Sequence, residues 1–72
     1  MNTATYYAPW DPGWKATLEP RNGLFKVTVL HEDEVLGTVT TGPDWLLPGT
    51  VIRQAISYAG IEGAPIIWER WS

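Results

Sequence analysis

The residues with most chemistry in them are His31 and the three acids that follow it, Glu32, Asp33 and Glu34. A histidine beside carboxylates is the raw material of a general base or a metal site, because imidazole titrates near neutral pH and both groups ligate cations. Consecutive ligands do not converge on one ion, however, and the run lacks the glycine and distal glutamate of a calcium loop. The three acids read as a solvated loop tip and His31 as an edge residue. With one histidine and no cysteine in the chain, no metal and no cofactor are expected. Nucleophilic catalysis wants Ser, Thr or Cys beside a base, and His31, with acids next door, is the one plausible base. Paired carboxylates need a cleft that so small a domain has little room for. The seven glycines are spread through turns and form no phosphate loop. The chain is expected not to be an enzyme.

Five tryptophans and three tyrosines in 72 residues point to binding instead. A surplus of aromatics is either a core or a sticky surface, and protein interfaces favour Trp, Tyr and Arg in patches poor in charge. Tyr6, Tyr7, Trp10, Trp45 and Trp71 are the aromatics least accounted for by the apolar pattern below, so these five are the expected partner-binding residues. The expected partner is another protein or a second copy of this chain, as a homodimer, in the manner of a regulator or inhibitor of a larger protein. Carbohydrate binding also uses exposed rings, but Asn2, Asn22 and Gln54 are the only side-chain amides to meet hydroxyls. Eight acids against five scattered bases give a net charge of −3, which argues against nucleic acid as a partner. No apolar run approaches the length of a membrane span, so no membrane partner is expected. Absence of cysteine fits a reducing compartment, and a cytoplasmic location is expected.

The elements that must position these aromatics follow from patterning. Residues 1–13, MNTATYYAPWDPG, are broken by two prolines and a glycine and are read as an aromatic arm that packs on its own domain or on a partner. The single domain proper is 14–72. Asn22-Gly23 lies between two strictly alternating runs, the strongest short hairpin signal, and fixes a register in which Trp14 faces His31, Leu18 faces Val27 and Glu19 faces Lys26. One face then collects Trp14, Ala16, Leu18, Pro20, Phe25, Val27 and Val29. The other collects Lys15, Thr17, Glu19, Arg21, Leu24, Lys26, Thr28 and Leu30. A third run, 35–41, alternates again, with Val35, Gly37 and Val39 on the core face if the loop is Glu32 to Glu34.

The spacing predicts one amphipathic helix from Pro48, at its first position, to Gly60, in the left-handed stop position, with Asp44 to Leu47 a tight turn before it. Residues 64–71 read as a short fourth strand, laid by a right-handed crossover parallel to 14–21 or else swapped onto a second subunit. The fold class expected is α+β, of order βββαβ: a three-stranded antiparallel meander with the helix on one face. Its core is expected to hold Leu18, Phe25, Val27, Val29, Val39, Ile52, Ala55, Ile56 and one of Ile66 or Ile67.

Three strands followed by a helix, opening Gly13-Trp14-Lys15-Ala16, resemble the three-stranded DNA-binding domains of plant ethylene-response factors and of phage-integrase arm-binding domains. That resemblance rests on the order of elements and the short opening, and it implies groove reading by the sheet. The outer face departs from it, setting Lys15, Arg21 and Lys26 against Glu19 around a Leu/Thr centre. The second and third runs plus the helix are similar in order to small antitoxin domains of the HicB kind.

Overall fold

The computed structural model describes residues 2–71. Its framework is the predicted hairpin. Strands β2 (Trp14–Arg21) and β3 (Leu24–His31) are joined by Asn22 and Gly23, both at positive φ, and pair in the expected register from Trp14 opposite His31 to Arg21 opposite Leu24. Positive φ at both central residues is what a two-residue turn matched to strand twist requires, and Asn-Gly provides it at low steric cost. Trp14 and His31 stack at the open end, ring centroids 4.3 Å apart. The ion pair on this hairpin joins Arg21 to Glu19 (3.6 Å) along one strand.

Strand β4 (Glu34–Thr41) follows with Val27 opposite Val39 as expected, but by a different route. The loop is a second two-residue turn, Glu32-Asp33, again at positive φ, and the register is restored by a bulge that leaves Leu36 without a direct partner between Val35 and Gly37. The predicted loop Glu32 to Glu34 is therefore corrected, and so is the side on which Val35 lies: it pairs with Leu30 and is exposed. A bulge inverts the pleat on one side of itself.

The expected arm, 1–13, contains a strand. Ala4–Tyr7 forms β1, antiparallel to β2 with Tyr6 opposite Ala16, which places Tyr6 in the core at 8% exposure. The segment packs on its own domain. Among the described residues after the helix, regular pairing is limited to β5 (Glu69–Arg70), which runs antiparallel to β1. The parallel pairing expected beside 14–21 does not form, because β1 occupies that edge of β2. The sheet is five-stranded and antiparallel in the order β4-β3-β2-β1-β5, the element order is ββββαβ, and the class is α+β as expected.

The helix α1 spans Pro48–Ala59, with Gly60 at φ 68. The Ile61 amide donates to the Ile56 carbonyl (3.1 Å) and that of Gly60 to Ser57 (3.2 Å), closing the last turn. Before the helix, the Leu46 amide donates to the Pro43 carbonyl (3.1 Å), a turn one residue earlier than the expected Asp44 to Leu47, and Leu47 is the N-cap. Val51, Ile52 and Ala55 are buried against Ala16, Leu18, Val27 and Val29, so the helix covers the predicted sheet face, lying over β3 and β4. After the helix, Ile61, Ala64 and Trp68 pack partly buried against the same core, Ile61 beside Gly37 of β4, and the Trp68 indole donates to the Pro65 carbonyl (2.9 Å). Both Ile66 and Ile67 are exposed, so neither supplies the expected core residue. A two-residue strand imposes too little alternation to turn either inward. Phe25, Val39 and Ile56 border the core half-buried.

Candidate protein-docking surface

The opposite face of the sheet is covered by no element among the described residues, and register arranges it in rows. Tyr7, Lys15, Leu30 and Val35 form one row across four strands; Thr5, Thr17, Thr28 and Thr38 form the next; Glu19, Lys26 and Thr40 form a third. Side chains directly opposite on one face lie about 5 Å apart, so each row is a contiguous stripe. The threonine stripe is polar but uncharged, and the Thr28 and Thr38 hydroxyls approach to 3.5 Å.

Trp71, the residue after β5, lies at the margin of this face. Its amide donates to the Thr5 carbonyl (2.7 Å), its ring meets Tyr7 edge to face at 5.4 Å between centroids, and Lys15 Nζ stands 5.2 Å from the ring centroid. Tyr7, Pro12 and Trp71 line a cleft of about 350 Å³. Trp71 is nevertheless 56% exposed. Edge-to-face packing and the cation fix the orientation of both rings without hiding them. A rigid aromatic with an open face loses little conformational freedom on binding, the condition for an anchor residue.

The five residues singled out from the sequence thus divide. Tyr7 and Trp71 come together, Tyr6 is withdrawn into the core, and Trp10 (84% exposed) and Trp45 (78%) stand apart. Trp10 belongs to the connection that meets the Glu32 turn, where the Glu32 amide donates to the Gly13 carbonyl (2.9 Å). Trp45, with exposed Leu47, belongs to the connection tied to the Asn22-Gly23 turn by the Asp44 amide and Gly23 carbonyl (2.9 Å). Those turns close opposite ends of eight-residue strands, about 25 Å apart. One small contact does not span all five.

Pro12 and Lys15 complete the corner and were not among the sequence candidates. Lys15 was on the outer face by alternation, but the stripe it joins exists only because residues 4–7 are a strand. A second cleft, of about 510 Å³, opens on the helix side between Pro48 and Tyr6, Leu18 and Phe25, with Asn2, Thr3 and Arg70 also lining it. Among the described residues no group of three or more His, Asp or Glu side chains is arranged to hold a metal ion, and no helix is long and apolar enough to cross a membrane. Comparison of the chain with protein-family models, with curated proteins and with solved structures finds no match.

Proposed function

We infer that this chain is a non-enzymatic protein-binding module that engages its partner with the Tyr7, Pro12 and Trp71 corner and the adjoining outer sheet face. The observation that carries the reading is Trp71, held against Tyr7 and Lys15 yet more than half exposed. The partner is a folded protein offering an apolar projection to the cleft and a polar rim to the threonine stripe. Occupying a surface is how a small cofactor-free protein regulates or inhibits a larger one. The absence of cysteine supports a cytoplasmic setting.

Two other ligand classes meet less support on this face. Its cations Lys15, Arg21 and Lys26 are interspersed with Glu19 and Glu69 around a threonine centre, so it offers no basic stripe to a phosphate backbone. For carbohydrate, the amides are elsewhere: Asn22 is in the far turn, Gln54 accepts from Thr41 (2.9 Å), and Asn2 lines the helix-side cleft. The test is affinity capture from the native host with the intact chain, Trp71→Ala and Trp45→Ala in parallel. A specific partner held by the intact chain and Trp45→Ala but lost from Trp71→Ala supports the corner. Capture indifferent to Trp71, or salt-sensitive binding to random-sequence DNA, refutes it.

A further inference from the structure

The two edges of the sheet are finished differently. β5 closes one edge with two residues, both charged, which gives an approaching strand almost nothing to pair with. β4 closes the other with eight residues that include no lysine, arginine or proline and a single acid at the start. Its bulge lies at the Glu34 end, so Gly37–Thr41 is regular. The Ala8 amide donates to the Trp14 carbonyl, and strict alternation of antiparallel ladders from there turns Gly37, Val39 and Thr41 toward β3. The N–H and C=O groups of Thr38 and Thr40 therefore point out of the edge. No strand pairs with them among the described residues.

The helix brings an apolar group to the same edge. Thr41 on β4 hydrogen-bonds Gln54, and Gly37 lies under Ala59, so the helix runs along β4 from Gln54 to Ala59. One turn on from Gln54, on the same flank, is Tyr58, 70% exposed. An unpaired backbone row beside a helix that carries an exposed aromatic is a surface that another strand completes.

We propose that the occupant is a second copy of this chain, paired antiparallel along β4 about a two-fold axis near Val39, so that two five-stranded sheets join into one of ten. The edge is self-complementary in the way such an axis requires. Thr38 and Thr40 of each chain exchange hydrogen bonds with Thr40 and Thr38 of the other, the threonine stripes run on across the joint, and the two Tyr58 rings cover it. An uncharged strand lets two chains of net charge −3 meet without like charges in the ladder, so screening the remaining repulsion with salt tightens the dimer. The aromatic corner, four strands away, stays open.

Sedimentation equilibrium of the full chain from about 10 μM to about 1 mM is expected to show the mass rising from 8.1 kDa toward twice that value. Thr38→Pro removes an outward N–H that the monomer does not use, twice per dimer, and should weaken association about 100-fold or more. Thr38→Val keeps the N–H and should change it less than about 3-fold. Tyr58→Asp, on the helix surface, gives a second reading should the proline disturb folding, with an expected loss of about 10-fold or more. A chain monomeric across the range overturns the proposal, as does a dimer that Thr38→Pro and Tyr58→Asp leave unchanged. A dimer abolished by Trp71→Ala instead would assign self-association to the corner and overturn it equally.

Discussion

Trp71 and Tyr6 are a residue-scale contrast that stability measurements can read. Tyr6 is buried between Ala16 and the cover of the core, and Tyr6→Ala should cost about 3–5 kcal/mol in denaturant unfolding, as large aromatic deletions do. Trp71→Ala loses one edge-to-face contact and one cation, both at the surface, and should cost no more than about 1–2 kcal/mol. Equal costs would mean that the corner is a structural staple and the docking reading fails. Gly37 offers a further test. A Cβ there would stand 3.0 Å from that of Ala59 and 3.6 Å from Ile61 Cδ1, so the end of the helix rests directly on the strand. Gly37→Val should destabilise by about 1–3 kcal/mol through overpacking. Alternation alone puts Gly37 on the core face, which is why its side was legible. Val35, two residues earlier, was misplaced because a bulge leaves no mark in a pattern of apolar and polar residues; only pairing with β3 reveals it.

At the scale of elements, β1 carries what the sequence concealed. The hairpin, the helix and the stop at Gly60 are legible because each rests on local chemistry: an Asn-Gly turn, an apolar arc, a residue tolerant of left-handed backbone. Ala4–Tyr7 has no such signal. Four residues between prolines and polar positions make a strand only because β2 offers an edge whose core-facing side chains match them in size, small Ala16 opposite Tyr6 and large Leu18 opposite Ala4. β5 in turn depends on β1. Deleting residues 1–8 should therefore do more than trim an arm: it exposes the edge of β2, strips Tyr6 and Ala8 from the core and releases β5. The expected result is loss of a cooperative thermal transition, whereas deleting 69–72 should lower the midpoint and keep the transition. An unchanged melting curve for the shorter chain would return residues 1–13 to the status of an arm.

On the scale of the whole molecule, the aromatics are sorted by the layering of the fold. A one-helix, one-sheet domain has a single buried layer, and a helix of 12 residues covers only half of a five-stranded sheet. Trp14, buried in that layer, and Trp68, packed partly buried against it, add the large apolar area that chains of this size often replace with a disulfide or metal. Trp10, Trp45 and Trp71 have no second layer to enter. That partition, Trp14 buried, Trp68 half-buried and three outside, was half legible: the hairpin register placed Trp14, but the turn of the chain after Gly63 that carries Trp68 against the core belongs to tertiary packing. It has a direct optical consequence. Acrylamide quenching of the native protein should resolve two classes of tryptophan, the larger quenched nearly as in the unfolded chain and the smaller strongly protected. Trp14→Phe and Trp68→Phe should each diminish the protected class, while Trp10→Phe and Trp45→Phe diminish the accessible one without changing stability by more than about 0.5 kcal/mol. Binding of a partner at the corner should then move Trp71 alone from the accessible class to the protected one. Protection of Trp10 or Trp45 in its place would locate the docking surface at an end of the sheet.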